Sequence, residues 1–227
     1  MTTALVSGGK DSVYSAYLAD TQGLEVDELV TIAPEDPDSF LFHTPNVGLV
    51  RWIAEAWGKR HRAIPVTGSG ESAETEALRG ALAGSHEPVV AGAIASAYQW
   101  TRLQKLTFEL GRPLYTPLWG KEAGRVVREE ISAGLDIRIV QVAAEPLGPE
   151  LVGQRLDLPR LTELERISAE VRPIQVAGEG GEYETLVVDA PFFRSTLVLE
   201  GERVERRGGA TRMTIGGAHL APKPEPL

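Results

Sequence analysis

The apolar run Thr3-Ala4-Leu5-Val6 passes without a spacer into Ser7-Gly8-Gly9-Lys10-Asp11-Ser12. Val13, Ala16 and Tyr17 then recur at helical spacing, so a helix is predicted to open at or just after Lys10 and Asp11. A buried strand that feeds a helix through a glycine-rich turn places that turn at the carboxyl end of a sheet. Backbone N–H groups and a helix N-terminus converge there, and together they bind anions. Gly8 and Gly9 allow the backbone to approach a phosphate with no Cβ in the way. Ser7 and Ser12 add hydroxyls and Lys10 adds positive charge. Asp11 is unsuited to phosphate but can hold Mg²⁺ or cap the helix. A Walker A loop is excluded by spacing, since Ala4 occupies its first glycine position and Asp11 its final hydroxyl position. The dinucleotide fingerprint G-x-G-x-x-G is absent too. The plain alternative is a tight strand-to-helix turn with no ligand.

The same alternation continues down the chain. Strands are predicted over 28–33, 62–66, 88–93, 114–117 and 137–142, with helices over 47–57, 71–82, 98–110 and 121–133. Strands alternating with helices of this length imply an α/β fold, a mostly parallel twisted sheet with helices on both faces. After 142 the texture changes. A helix over 158–171 precedes short strand patterns at 185–188, 195–199, 203–206 and 213–215, with a Gly201-Glu202 turn between the second and third. The reading is a larger unit over 1–142 that carries the anion-binding turn, a smaller α+β portion over 143–220, and a proline-rich disordered tail over 221–227.

The 227 residues carry a formal net charge of -9, which argues against nonspecific nucleic-acid binding. There is no cysteine, so disulfides, Cys-ligated zinc, iron–sulfur clusters, persulfide chemistry and a Cys-nucleophile glutaminase are excluded from this chain. No apolar run approaches the roughly 20 residues that span a bilayer. With a strand pattern at the very start, the expectation is a cytoplasmic protein without a targeting segment, monomeric or a small oligomer such as a homodimer.

A second unusual stretch is Gly178-Glu179-Gly180-Gly181-Glu182-Tyr183-Glu184-Thr185-Leu186. With a strand beginning near Glu182, Glu182 and Glu184 share a face about 7 Å apart. Carboxylates gathered on a glycine-rich lead-in can bind Mg²⁺, receive an ammonium ion or act as a general base. They can also be a solvated acidic turn.

Ser-Gly-Gly-x-Asp-Ser after a first strand resembles the signature of the PP-loop ATP pyrophosphatases, whose adenine nucleotide alpha hydrolase-like (HUP-like) fold and AMP-forming chemistry the resemblance implies. The stretch 178–193, GEGGEYETLVVDAPFF, resembles the hallmark of the diphthine–ammonia ligase family. Three other segments agree: 34–46 (PEDPDSFLFHTPN), Gly92-Ala93-Ile94-Ala95-Ser96-Ala97-Tyr98-Gln99, and Pro117-Leu118-Trp119-Gly120. Trp100 and Gln104 depart from it, standing where the family often has a basic residue and an acid. The resemblance implies that diphthine on translation elongation factor 2, ATP and ammonium give diphthamide, AMP and pyrophosphate.

It also implies ATP binding for the unit over 1–142, substrate binding for the portion over 143–220, and site roles. Lys10, Asp11, Glu182 and Glu184 are the catalytic candidates, with Asp11 on the metal. Ser7, Gly8, Gly9, Lys10, Asp11, Ser12, His43, Gly92, Ser96 and Gln99 face the nucleotide. Glu179, Gly180, Gly181, Tyr183, Tyr98 and Arg102 face the substrate. Arg102 is read otherwise as a solvated charge, His43 as a surface residue, and the basic group Arg203, Arg206, Arg207 and Arg212 as a solvated face. The alternatives are another PP-loop enzyme, acting on tRNA or in cobalamin salvage, and an ATP-binding sensor without catalysis.

Overall fold

The computed structural model describes residues 2–34, 47–68, 70–143 and 145–223. Its first strand, β1 (Thr2–Leu5), is buried throughout, and its successive residues serve two different cores. Ala4, with Leu29 and Val90, joins the cluster that contains Val13, Ala16, Ile53 and Trp57. Leu5, with Val30, Ile32 and Val89, joins the cluster that contains Leu78, Leu82 and Leu106. Helices α1 (Lys10–Ala19) and α2 (Val50–Trp57) therefore cover one face. Helices α3 (Glu71–Leu82) and α4 (Ala97–Glu109) cover the other.

The remaining strands of this sheet are β2 (Val26–Pro34), β3 (Arg60–Val66), β4 (Val89–Val90) and β5 (Leu114–Tyr115). Their order is β3-β2-β1-β4-β5, parallel at every pairing. The order reverses between β1 and β4, and in open parallel sheets the crevice outside the carboxyl ends at such a reversal is where ligands bind. The predicted α/β architecture with helices on both faces is what the structure contains.

The chain then crosses to a second sheet through α5 (Ala123–Ser132). Strand β6 (Asp136–Val142) pairs antiparallel with β7 (Tyr183–Asp189) and with β10 (Ala210–Thr214), which pairs with β9 (Arg203–Arg207). The predicted strand at 137–142 is real, but it lies outside the parallel sheet with which it was grouped. Its alternation, Ile137 and Ile139 followed by Val140 and Val142 in a shifted phase, specifies a strand and leaves the partner open. A corresponding correction applies to β8 (Ser195–Glu200). It pairs with β11 (Gly217–Pro222), not with 203–207 across the Gly201-Glu202 turn. Strand β11 carries regular structure into Ala221 and Pro222, where composition pointed to a disordered tail; residues 224–227 lie outside the described set. Helix α6 (Leu158–Glu170), capped by the Asp157 carboxylate on the Arg160 N–H at 3.0 Å, buries Leu161 and Leu164 against the larger cluster.

Candidate active site

The crevice predicted by the sheet reversal is a cavity of about 520 Å³. Ser7, Gly9, Lys10, Asp11 and Ser12 form one wall, at the N-terminus of α1. Gly92 and Ser96, from the segment between β4 and α4, form a second. The third wall comes from the other sheet: Glu179, Gly180 and Gly181 ahead of β7, with Tyr183, Glu184 and Thr185 in it. Tyr98, Gln99 and Arg102 of α4 close the rim. Leu5, Leu78, Leu103 and Leu106 give one part of the cavity an apolar lining.

Residues more than 170 positions apart are fastened together here. The Lys10 N–H donates to Thr185 Oγ1 at 3.2 Å, and the Val187 N–H donates to the Gly8 carbonyl at 2.9 Å. Gly8 itself is not on the cavity wall. Its φ of +91° requires glycine, and its α-carbon faces Leu186, Val50 and Ile53. Gly92 is needed for a different reason. A Cβ there would stand 2.8 Å from the backbone of Asp11 and Ser12, so β4 can approach α1 only without one. The Ser12 hydroxyl donates to the Gly9 carbonyl at 2.9 Å and accepts from the Ser7 N–H at 3.2 Å, bracing the turn from inside.

Lys10 is 1% exposed, and its ammonium contacts both Asp11 carboxylate oxygens at 2.7 Å. Glu130 Oε2 of α5 lies 3.9 Å from the same nitrogen. Burial penalises the charged ammonium, yet the two neighbouring carboxylates outweigh it and hold the Lys10 pKa above its ordinary value. Glu130 is fully buried, and neither of its oxygens has a hydrogen-bond partner among the described residues. Burial raises its pKa well above the usual carboxylate range, opposed by Lys10 and reinforced by Asp11. Sequence reasoning missed Glu130. Its signal was an acid standing three and four places after Val127 and Val126, on the apolar stripe of a helix.

The three glutamates of the second signature have separate environments. Glu179 accepts from the Ile94 and Ala95 N–H groups at 2.7 and 2.6 Å, tying the glycine-rich stretch to the end of β4. Glu182 precedes β7, and its Oε1 accepts from the Gln175 N–H at 2.8 Å, away from the cavity wall. Glu184 is on the wall, and burial pushes its carboxyl up to about 8 against the pull of Lys10. Of the two glutamates expected to share one working face, Glu184 lines the cavity, whereas Glu182 is not among its lining residues and is held by the Gln175 amide.

Arg102 stacks its guanidinium 4.4 Å from the Tyr98 ring centroid, and both side chains engage Glu71 of α3. Ser96 caps α4 by accepting from the Gln99 N–H. Trp100, a departure in the resemblance, stacks on Trp119 at 4.9 Å between centroids, and Gln104 is exposed. Of the basic group near the C-terminus, Arg203 and Arg206 are exposed and Arg212 donates to Gln141 Oε1 at 2.6 Å. His43 lies outside the described residues. Among the described residues no cluster of three His, Asp or Glu side chains is arranged around a metal position, and no helix is long and apolar enough to cross a membrane.

Residues 1–113 match the model of the diphthamide synthase N-terminal domain, and residues 123–213 match that of the diphthamide synthase C-terminal domain. The chain belongs to the diphthamide synthase family. Three relatives of this family member are each called diphthine–ammonia ligase. The one from Schizosaccharomyces pombe is 31% identical over 244 residues, covering 97% of this chain and 40% of its own length. The Bos taurus relative is 30% identical, covering 88% of this chain and 83% of its own length. The Homo sapiens relative is 29% identical over the same shares, 88% and 83%. This chain thus spans less than half of the fission-yeast relative and most of the two mammalian ones. A solved structure from Methanocaldococcus jannaschii, described as a "predicted subunit of tRNA methyltransferase", aligns with a TM-score of 0.47 and 18% identity over 84% of this chain and 97% of its own. The two regions matched by the family models meet between 113 and 123, where the chain leaves the parallel sheet for the second one.

Proposed function

We propose that this chain is a diphthine–ammonia ligase. It joins the diphthine carboxylate to the α-phosphorus of ATP, releasing pyrophosphate, and then exchanges AMP for ammonia to leave diphthamide. The observation that carries this reading is the junction of the two signatures on one cavity, with the Lys10 N–H held by Thr185. A nucleotide loop alone is shared by many reactions; a nucleotide loop fastened to the acidic strand that distinguishes this family is not.

The residues fit ATP. The N-terminal turn of α1 and the Ser7 and Ser12 hydroxyls present donors to a polyphosphate, and Leu78, Leu103 and Leu106 offer an apolar surface to a base. Bound ATP supplies the activated leaving group that a carboxylate lacks. Asp11 lines the cavity and would hold Mg²⁺ beside the phosphates once released from Lys10. The parallel unit then holds the nucleotide and the second sheet receives the diphthine side chain of elongation factor 2.

Ammonium becomes nucleophilic only when it loses a proton. Glu184, with a pKa near 8 on the cavity wall, is matched to taking that proton near neutral pH. Glu179, bound to two backbone N–H groups, keeps the glycine-rich stretch on the cavity.

The test is AMP formation and ATP–pyrophosphate exchange with diphthine-bearing elongation factor 2, with and without ammonium. Exchange dependent on the protein substrate, followed by ammonium-dependent AMP release, is expected. ATP binding with no exchange would instead identify a nucleotide sensor.

A further inference from the structure

We propose that Glu130 is a positioning residue, the permanent partner of Lys10 that frees Asp11 to work in the cavity; this deepens the ligase reading and rests on it. Lys10 has two carboxylate partners with opposite access. Asp11 lies on the cavity wall with 24% of its side chain exposed, whereas Glu130 is sealed at 0%. A ligand entering the cavity can therefore reach Asp11 and cannot reach Glu130.

A buried ammonium is costly unless a carboxylate accompanies it. With Asp11 as its sole partner, Lys10 would have to be stranded whenever Asp11 turned toward a bound ligand. Glu130 removes that conflict by approaching Lys10 at 3.9 Å from the α5 side. Its position is costly: a fully buried carboxyl beside both Lys10 and Asp11, with no hydrogen bond of normal geometry to its oxygens among the described residues, is a feature that a purely structural helix would replace with an apolar side chain. Glu130 touches neither the cavity nor a reacting atom, so its effect passes through Lys10.

The consequence is a split between binding and turnover. In Glu130→Gln the ammonium is left to Asp11 alone, which stays docked on it. ATP affinity, measured calorimetrically, is expected to remain within about threefold of wild type, while the rate of AMP formation falls about tenfold or more. Glu130→Asp, which keeps the carboxyl, is expected to recover part of that rate. Parallel loss of affinity and rate in Glu130→Gln, or wild-type turnover, overturns the proposal.

A double-mutant cycle in ATP affinity gives a reading independent of turnover. Asp11→Asn and Glu130→Gln each leave Lys10 one carboxylate, and the double variant leaves it none. The double variant is expected to lose at least about tenfold more affinity than the product of the single effects. Multiplicative effects mean that the two carboxyls do not share Lys10, and the proposal fails. If the wild type binds ATP yet makes no AMP with diphthine-bearing protein and ammonium, the ligase reading fails while the affinity cycle still decides the role of Glu130.

Discussion

The Lys10 backbone N–H and the Thr185 hydroxyl meet at 3.2 Å across 175 positions of sequence. This one bond joins the start of α1 to the middle of β7, and with it the nucleotide loop to the acidic strand. Thr185→Val keeps the shape and removes the acceptor, leaving a buried N–H unpaired. The expected loss is about 1–3 kcal/mol of stability by denaturant titration, with weakened ATP binding. Thr185→Ser, which keeps the hydroxyl, should restore most of both.

Gly92→Ala tests how closely β4 must approach the loop. The added Cβ would stand 2.8 Å from Asp11 and Ser12 backbone atoms, which cannot rotate out of the way as a side-chain tip can. Overpacking of this kind costs about 1–3 kcal/mol. ATP affinity measured by calorimetry should fall, because the displaced atoms belong to the binding loop.

Lys10→Ala removes the shared cation of two carboxylates, one of them fully buried. Breaking a buried ion pair from one side costs about 3–5 kcal/mol. AMP formation should fall at least about a hundredfold, beyond what unfolding explains, as shown by comparing rates at a temperature where circular dichroism reports both proteins folded.

Glu184 makes two pH predictions. Its carboxyl has a higher pKa in the fold, about 8, than its ordinary 4.5, so the folded state holds a proton that the unfolded chain has lost. Stability from this group is full below about 4.5 and declines as pH rises to about 8. Thermal melts of wild type and Glu184→Gln across that interval should show a shallower decline in the variant. Ammonium-dependent amidation should rise with pH toward 8 in wild type and lose that limb in Glu184→Gln.

Glu182 is expected to contrast with its neighbour. Its Oε1 accepts from Gln175, a bond that a glutamine oxygen also makes. Glu182→Gln should retain amidation within about threefold, whereas Glu184→Gln should lose most of it. Equal losses at both positions would restore the joint role that their spacing implied.

The sequence by itself determined the local units. Thr3 to Ser12 specified strand, turn and helix because a short apolar run, paired glycines and a helical period each act over a few residues. The helix over 71–82 was legible to its ends, and the alternation of strands and helices implied the parallel sheet. Motif chemistry also placed Asp11, Ser96, Glu179 and Glu184, which line the cavity. Tertiary structure decided what faces what. Periodicity could not tell that β6 pairs with β7 and β10, since an alternating strand fits any partner with a matching face. It could not separate Glu182 from Glu184, because the deciding group is the Gln175 amide seven residues back. Above all it could not bring Glu130 to Lys10, a pairing that exists only when α5 packs against α1 and sets a buried carboxyl 3.9 Å from a buried ammonium.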